Sequence, residues 1–446
     1  MNLQPTTYNL KHKKTTRGIV VGCWSFVVGQ RSGQSLAEVM VGLAIGAILI
    51  GAASFAITTA LKTNLSAQRS QFAANLAQET TERARSYASA DWQNIYGLTK
   101  GSSTPYYFVA TSTQFLVVQG TEGIVENDIR NGLVGQWGFD EATGTLTYDS
   151  TGNKNSGTLT NNPTRATSTC KIGNCISFDG VDDYISSSQA ISFGVGSFSV
   201  GLWMKATGTS AYNAIFDEGS PVNSGISGYQ LFLSGGYLRY NMSDGIGHWQ
   251  ELVVGGSPDL RDNKWHHVVW TYDASNSRFY LDSVLLDTDP WNYGTGNSAA
   301  QFLIAKSWVP TFNGIFDDVR VYNRALSADE VKQLFNSNVY SRLFYVENAC
   351  RTTDASSTYS GVAPCGGGSV DDPSSQKVTA VVSWGTGFGS GQVVLSDMLT
   401  RWKNAIFQQS DWSGGISGNI LINSGTTFAS SSNINYGGGS LRINGL

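Results

Sequence analysis

The N-terminal part of the chain contains one long apolar stretch. The 23 residues from Val39 to Leu61 carry no charge, and a helix of this length can cross a bilayer. The following sequence is rich in Ala, Gln and Arg but keeps an intermittent apolar stripe as far as Tyr87. This pattern predicts one helix from about Ser35 to Ala90, about 80 Å long at 1.5 Å per residue. We expect its first half to lie in lipid and its second half to pack on a sheet.

Strand patterns occur in two groups that are far apart in the sequence. Tyr106–Ala110 and Gln114–Gln119 come first, and Tyr340–Glu347, Lys377–Trp384 and Gln392–Leu395 come more than 200 residues later. Two strands alone do not cover a helix stably, so we expect the later strands to complete the same sheet. The region between the two groups of strands is then predicted to be an insertion.

The insertion, residues 132–337, has many short β-branched and aromatic runs separated by turn residues. This spacing is typical of a sandwich or jelly roll. Ser327 to Glu330 form a capping box that predicts a short helix ending near Phe335. A domain whose ends lie close together can be inserted into a surface loop at little cost.

The predicted fold class is therefore α+β, with a long membrane helix packed on an antiparallel sheet and an inserted all-β jelly roll. The domain boundaries that we predict are a leader at 1–33, a helix at 34–90 (membrane part about 39–61), a split β domain at 91–131 and 338–410, a jelly roll at 132–337, and a Gly/Ser/Asn-rich segment at 411–446.

Charge and cysteine content indicate export. The leader contains five basic residues and no acid, so its removal changes the net charge from -4 to -9 (-4 minus 5). Basic residues before the span place the leader in the cytoplasm and the rest outside, and the acidic remainder argues against nucleic acid as a partner.

Beyond Cys23 of the leader, four cysteines remain, and an even set in an exported chain predicts two disulfides. Three pairings are possible, and we favour the local ones, Cys170 with Cys175 and Cys350 with Cys365.

Glu38 stands alone at the start of the apolar stretch, where an unpaired charge costs about 2.5 to 3.5 kcal/mol on insertion scales. A cut after Gly33 would place the new α-amino group of Gln34 one helical turn away from this carboxylate. The order Gly, cut, Glu at the fifth mature position and an apolar run resembles the prepilin signal of type IV pilins and pseudopilins. The resemblance implies cleavage by a membrane peptidase, methylation of Gln34 and a role for Glu38 in assembly with other pilin subunits.

The chain departs from that family in two ways. Gln34 replaces the Phe that is common at the first mature position, and the leader holds an apolar stretch, Gly18 to Gly29, that short pilin leaders lack. The alternative is a plain signal anchor. The later segments Tyr340–Asn348, Asp372–Val378 and Thr400–Trp402 also resemble the C-terminal half of bacterial pilin-like proteins.

The insertion resembles the laminin G-like, or concanavalin A-like, jelly-roll family. The resemblance rests on an ordered set of motifs: Leu133–Asp140, Asp149–Gly157, Phe178–Tyr184, Trp265–Trp270, Tyr280–Asp282 and Phe316–Leu326. It implies carbohydrate binding, and often a structural calcium ion.

Candidate calcium ligands are Asp149, Asn155 and Asp317. The loop from Asp149 to Gly157 is rich in oxygen ligands, and strand alternation puts Asp317 on the core-facing side with Val319 and Val321, where a carboxylate must be paired or bound to metal. The alternative is hydrogen bonding of these groups to turn amides. Candidate sugar contacts are Trp249, Trp291 and Trp308, which occur in polar stretches, although aromatic residues in loops also close the ends of sandwiches.

We find no enzyme signature in the sequence. No Glu-x-Asp-x-x-Glu run occurs, alternation puts Asp317 and Asp318 on opposite faces, and the His266–His267 pair fits a structural role at the start of a strand. Two functions compete: a minor pilin or pseudopilin whose jelly roll binds polysaccharide or another surface glycan, and an assembly subunit of a pilus or type II secretion machine without its own ligand. A carbohydrate-active enzyme ranks behind both. In each case we expect a single-pass precursor in the cytoplasmic membrane and then a location at the cell surface.

Overall fold

The computed structural model of the protein describes residues 36–110, 114–208, 211–219, 223, 225–307, 312–352, 359–362, 365–367, 369–385, 390–401, 428–430 and 433–434. The leader, Gly33 and Gln34 lie outside these residues, as do Trp308 and most of the C-terminal segment.

The elements follow one another in this order: α1 (Leu36–Ala90), α2 (Trp92–Tyr96), β1 (Tyr106–Ala110), β2 (Phe115–Gln119), β3 (Glu122–Val125), β4 (Leu133–Trp137), β5 (Leu146–Thr147), β6 (Gly157–Thr160), β7 (Thr164–Ala166), β8 (Cys175–Asp179), β9 (Tyr184–Ala190), β10 (Phe198–Ala206), β11 (Tyr212–Glu218), β12 (Gly228–Ser234), β13 (Tyr237–Ser243), β14 (Trp249–Val253), β15 (His266–Tyr272), β16 (Asn276–Leu281), β17 (Val284–Pro290), β18 (Gln301–Ile304), β19 (Asn313–Tyr322), α3 (Ala328–Asn336), β20 (Val339–Arg351), β21 (Tyr359–Val362), β22 (Val370–Trp384), β23 (Gly391–Thr400), β24 (Phe428–Ser430) and β25 (Asn433–Ile434).

The chain divides into two compact units, residues 1–64 and 65–446. In the first unit, the described part of α1 exposes its apolar side chains, for example Leu43 at 70% and Phe55 at 74%. This helix is long and apolar enough to cross a membrane, as judged by length and composition. Exposed apolar side chains around the whole helix are what a lipid-facing segment requires.

In the second unit, a seven-stranded antiparallel sheet (sheet I) joins strands from both ends of the chain. Its order is β2-β1-β20-β22-β23, and β3 and β21 also pair with β20. Tyr106 of β1 lies opposite Phe344 of β20, and Val125 of β3 lies opposite Val339. Strands before and after the insertion therefore form one sheet.

The part of α1 beyond residue 64 packs on sheet I through small residues. Ala73, Ala77 and Ala84 are fully buried and pack against side chains of β20 and β22. Arg342 of β20 fixes the register of this contact, because it pairs with Glu79 of α1 at 2.9 Å and with Glu122 of β3 at 2.7 Å.

The inserted region is a sandwich of two antiparallel eight-stranded sheets. Sheet II has the order β17-β16-β15-β10-β19-β8-β7, with β4 also paired to β19, and sheet III has the order β14-β13-β12-β11-β18-β9-β6-β5. Large side chains such as Trp137, Phe198, Tyr229 and Trp270 fill the space between them and are fully buried. The predicted fold class, a long helix, an antiparallel sheet and a jelly-roll sandwich, is confirmed.

Helix α3 covers part of the outer face of sheet II. The Ser327 Oγ accepts from the Glu330 N–H at 3.3 Å, and the Glu330 carboxylate accepts from the Ser327 N–H at 2.8 Å, which is the capping box predicted from the sequence. Val331 and Leu334 of this helix pack in one cluster with Val269 of sheet II.

Two disulfides have the local pairing that the sequence favoured. Cys170 is joined to Cys175, with 5.4 Å between their Cα atoms, and Cys350 is joined to Cys365, with 5.6 Å between theirs. The first closes a loop just before β8, and the second ties β20 to the segment after β21.

Candidate functional site

Glu38 is exposed and lies in the first turn of α1. A carboxylate in this position also stabilises a helix, because it faces the unpaired N–H groups of the first turn. The two residues of the predicted cleavage site, Gly33 and Gln34, lie outside the described residues, so the pairing of Glu38 with a new N-terminus stays a prediction.

Asp149 is buried and fully hydrogen-bonded. Its Oδ1 accepts from the backbone N–H groups of Gln136 at 3.1 Å and Thr151 at 3.0 Å, and its Oδ2 accepts from the Asn155 N–H at 3.0 Å. The Thr151 hydroxyl adds a contact to each oxygen. The Asn155 side-chain amide donates to the Val134 carbonyl at 2.7 Å. The loop thus has the turn-amide bonding that was the alternative to calcium, and the calcium site itself stays a prediction.

Asp317 does not face the sandwich core, so the face predicted from strand alternation is wrong. Asp318 has a positive φ of 46°, and the pairing of β10 with β19 shifts register between Trp203, opposite Asp317, and Gly201, opposite Arg320. This bulge inverts the alternation. Phe316 and Val319 both point into the core, whereas Asp317 accepts from the N–H groups of the Cys170–Cys175 loop.

The same bulge overturns the prediction that Asp317 and Asp318 lie on opposite faces. Asp318 accepts from the Gln136 amide at 3.0 Å and from Arg320 Nε at 2.7 Å, and like Asp317 it bonds to groups outside the core. Burial raises the pKa of Asp317 well above its ordinary value.

Three acids elsewhere, Asp179, Asp182 and Asp183, have carboxylate oxygens within 4.8 Å of one another. The sequence analysis did not single out this group, although all three residues lie in the motif Phe178–Tyr184.

The two neighbouring histidines have structural surroundings. His266 Nδ1 lies 2.9 Å from Asp282 and its Nε2 lies 3.2 Å from Asp262, and the hydrogen bond to Asp282 raises its pKa. His267 is buried, and desolvation lowers its pKa to about 3. It packs on the Trp203 ring, with 4.8 Å between ring centroids.

The three candidate tryptophans have different environments. Trp291 is only 5% exposed, packs in the sandwich core and donates from Nε1 to the Gly294 carbonyl at 2.6 Å. It closes one end of the sandwich, and its assignment as a ligand contact is wrong. Trp249 begins β14 and is 39% exposed, so it stays a candidate. Trp308 lies outside the described residues.

The outer face of sheet III carries a polar row that sequence reasoning missed. Tyr229, Leu231 and Leu233 of β12 point into the core, so Gln230 and Phe232 point outward. Strand register then places four outward polar side chains next to one another across four strands: Asp217 of β11, Gln230 of β12, Asn241 of β13 and Glu251 of β14. At about 4.8 Å per strand, the row spans about 14 Å.

Two side chains in this row have unsatisfied hydrogen-bonding groups. Asn241 is fully buried and neither its Oδ1 nor its Nδ2 has a partner, and the Nε2 of Gln230 also lacks one. The Gln230 Oε1 accepts from Ser307 Oγ at 2.7 Å, because the segment after β18 lies over this part of the face. A buried polar atom without a partner costs about 1–3 kcal/mol. The donors of Gln230 and Asn241 and the acceptor of Asn241 therefore have no hydrogen-bond partner among the described residues.

Exposed aromatic and charged side chains border the row. Tyr237 is 48% exposed and Tyr212 is 40% exposed, both near one end of the face, and Trp249 is near the other. Arg239 bonds to Glu251 at 3.1 Å on the accessible β13–β14 side. Amides, carboxylates and aromatic rings together can bind a ring-shaped ligand that carries hydroxyl groups.

This face has only a weak signature in the sequence. Gln230 and Asn241 each stand between two apolar neighbours, which is the ordinary pattern of a strand with one solvated face; Asp217 follows the apolar Phe216. Only the register between strands shows that the three side chains are adjacent.

Comparison with known proteins locates two families on the chain. The prokaryotic N-terminal methylation motif matches residues 29–54, and the concanavalin A-like lectin/glucanases superfamily matches residues 179–332. No curated protein matches the chain at a significant level.

Several solved structures are similar in fold to part of the chain. Domain 4 of AbnA, an extracellular arabinanase of Geobacillus stearothermophilus solved with arabinotriose, is 21% identical, with 46% of this chain and 98% of that chain covered and a TM-score of 0.38. The binding domain of Paraclostridial Mosquitocidal Protein 1 is 14% identical over 57% of this chain and 71% of its own, with a TM-score of 0.39. The receptor binding domain of botulinum neurotoxin D is 11% identical over 58% and 74%, with a TM-score of 0.38.

Proposed function

We propose that this chain, which carries a pilin-type N-terminal methylation motif and a concanavalin A-like domain, is a minor pilin or pseudopilin that displays a carbohydrate-binding jelly roll at the cell surface. The motif supports processing by a prepilin peptidase and assembly with other pilin subunits. The long apolar helix supports a membrane-anchored precursor.

The observation that carries the binding proposal is the set of unpartnered amide atoms, Nε2 of Gln230 and Nδ2 and Oδ1 of Asn241. Both side chains are fully buried, so a ligand whose hydroxyl groups donate and accept there must first displace the groups that cover the row, and it then removes the cost of the unpartnered amide atoms. The polar row also lies on the side of the sandwich away from α3, which covers sheet II.

The charge of the row favours a neutral, hydroxyl-rich glycan. The row carries two carboxylates, Asp217 and Glu251, and Glu251 pairs with Arg239. A glycan with uronate or sialic acid units would bring further negative charge to this face. Its carboxylates and those of the row would repel strongly, because like charges are poorly screened in a partly buried site. Neutral hexose or pentose oligosaccharides carry no such penalty.

The test is a glycan array read with the full chain in nanodiscs. We expect binding to neutral glycans, and we expect Asn241→Leu to reduce it at least tenfold while the protein stays folded. Replacing an unpartnered amide by an apolar side chain of the same size is close to neutral for stability. The control is Gln376→Leu, because Gln376 is an equally buried amide, in sheet I, and its replacement should leave binding unchanged.

Undiminished glycan binding by Asn241→Leu would refute the role of the row. A chain that enters filaments but binds no glycan on the array would instead support the second candidate, an assembly subunit of a pilus or secretion machine without its own ligand. We propose no enzymatic activity, and turnover of an oligosaccharide by the purified chain would contradict this.

A further inference from the structure

The loop between Cys170 and Cys175 lies where the jelly roll meets sheet I. Sequence reasoning assigned these cysteines only a disulfide. We propose that this loop is a latch that fixes the orientation of the jelly roll on sheet I, so that the inserted domain moves with the filament subunit instead of swinging on its two connections. The proposal does not depend on what the jelly roll binds.

On the jelly-roll side, the loop is held by β19 and β10. The N–H groups of Lys171 and Ile172 donate to Asp317 Oδ2 at 2.9 and 2.8 Å. The Lys171 ammonium group lies 4.0 Å from the centroid of the Trp203 ring. The two N–H groups are the hydrogen-bond donors to the buried Asp317 carboxylate. This explains why the bulge turns Asp317 toward the loop.

On the sheet I side, one carboxylate bonds to both partners. Asp140, which follows β4, accepts from the Asn174 N–H of the loop at 2.9 Å through Oδ1 and from the Gly123 N–H of β3 at 2.8 Å through Oδ2. The Asn174 side chain also donates to the Asp140 carbonyl at 2.9 Å. Asp140 is only 6% exposed, so it bridges loop and sheet away from competing water.

The two backbones are in direct contact at a pair of glycines. A Cβ atom on Gly123 would lie 2.5 Å from Ile172 Cγ2 and 3.0 Å from the Gly173 nitrogen. A Cβ atom on Gly173 would lie 2.1 Å from Asp140 Oδ1. Any larger residue at either position would push the jelly roll away from β3.

Apolar contacts reinforce the same point. Ile172 of the loop, Trp203 of β10 and Val125 of β3 form one buried cluster, against which Val339 of β20 also packs. The loop therefore combines polar and apolar contacts from both domains, next to the backbone bridge between Gly120 and Glu141.

The disulfide is what makes such a short, irregular loop a reliable contact. Gly173 has a positive φ of 57°, and an open chain of this sequence would sample many other conformations. Closing the ring removes most of them in advance, so the loop presents its N–H groups to Asp140 and Asp317 with little further loss of entropy.

The second disulfide gives a matched control. Cys350 and Cys365 tie β20 to the segment after β21 in sheet I. Its loss should loosen that edge of sheet I and leave the latch intact.

The experiment measures the distance between two spin labels in the full chain in nanodiscs. Ser103, before β1, and Val284, at the start of β17 and 61% exposed, are replaced by labelled cysteines, with Cys23→Ser to remove the remaining thiol. We expect a narrow distance distribution for this background, one at least twice as wide for Cys170→Ser/Cys175→Ser, and an unchanged width for Cys350→Ser/Cys365→Ser.

A second variant disrupts the latch from the sheet I side and leaves the disulfide intact. Gly123→Val should widen the distribution in the same way, and tryptophan fluorescence shows whether the sandwich is still folded. A width that stays narrow in the folded Cys170→Ser/Cys175→Ser chain overturns the proposal, as does a broad distribution before any change. If the cysteine variant does not fold, Gly123→Val decides: a broad distribution supports the latch and a narrow one overturns it.

Discussion

Glu218 makes the stability of the sandwich depend on pH near neutrality. It is fully buried at the end of β11, opposite Tyr229 of β12 and Phe302 of β18, which both belong to the core. Desolvation by burial raises its pKa from 4.5 to about 8; the Ser298 hydroxyl opposes this shift and the charge of Asp217 adds to it. The folded protein therefore holds a proton on Glu218 at pH 7 that the unfolded chain has released.

The sign of the effect follows from this difference. Below pH 4.5, Glu218 is protonated in both states and has no effect. Between 4.5 and about 8, only the folded state holds the proton, so the free energy of unfolding falls as pH rises, by about 1.4 kcal/mol per pH unit. Above 8 the loss is complete. The shift of about 3.5 pH units corresponds to a total loss of about 5 kcal/mol, which is an upper bound.

Glu218→Gln isolates this contribution, because glutamine has the same shape and does not titrate. We expect the variant to gain stability over the wild type by about 3–5 kcal/mol between pH 5 and pH 9. Asp140 and Asp317, whose pKa values burial also raises, act in the same direction in both proteins and cancel in the difference.

The assay is urea unfolding of the full chain in detergent micelles at a series of pH values, followed by tryptophan fluorescence. Glu82→Gln is the control, since the Glu82 side chain is 57% exposed on α1 and its replacement should leave the pH profile unchanged. Parallel pH profiles for wild type and Glu218→Gln would refute the reasoning.

Three further predictions follow from the helix, the core and the Asp149 loop. Mass spectrometry of the membrane-derived protein should show a methylated chain that starts at Gln34, and Glu38→Val should leave membrane insertion intact but abolish incorporation into filaments; unchanged incorporation would contradict the pairing with the new N-terminus. Trp270→Ala should lower the free energy of unfolding by about 3–5 kcal/mol because it empties the centre of the sandwich, whereas Trp249→Ala at the surface should cost less than about 1 kcal/mol, both measured by urea unfolding. If the loop at Asp149 binds calcium, a chelator should lower the melting temperature and added calcium should restore it in the wild type, and Asp149→Asn should respond to neither; a wild type indifferent to both reagents would contradict the calcium prediction.

Local sequence patterns predicted the elements whose causes are local. An uncharged run of 23 residues is sufficient for a membrane-length helix, the Ser327 capping box begins α3 where expected, and short spacing selects the pairing of Cys170 with Cys175. Each of these features depends on residues that are close together in the sequence, so the local sequence is sufficient to predict it.

Predictions that needed the orientation of a side chain were less successful. One extra residue in β19, with Asp318 at positive φ, turns Asp317 away from the core and toward the Cys170–Cys175 loop. Neither the composition nor the periodicity of the sequence indicates such a bulge. Trp291 stands among polar residues yet closes the end of the sandwich. The polar row on sheet III could not be predicted because Gln230 and Asn241 are brought together by a strand register that depends on the whole sheet.

The pairing of β1 with β20 also determines the order in which the protein can fold. Tyr106 and Phe344 are adjacent in sheet I but 238 positions apart in the sequence (344 minus 106), and such long-range contacts form late because a large loop must close first. The intervening jelly roll, whose described strands form two sheets of their own, shortens that loop when it folds and brings its own ends together. As the chain emerges from its N-terminus, the hairpin of β1 and β2 therefore lacks its β20 partner until the jelly roll has folded and β20 has emerged. We expect this interval to be when the chain is most exposed to proteases and most dependent on chaperones.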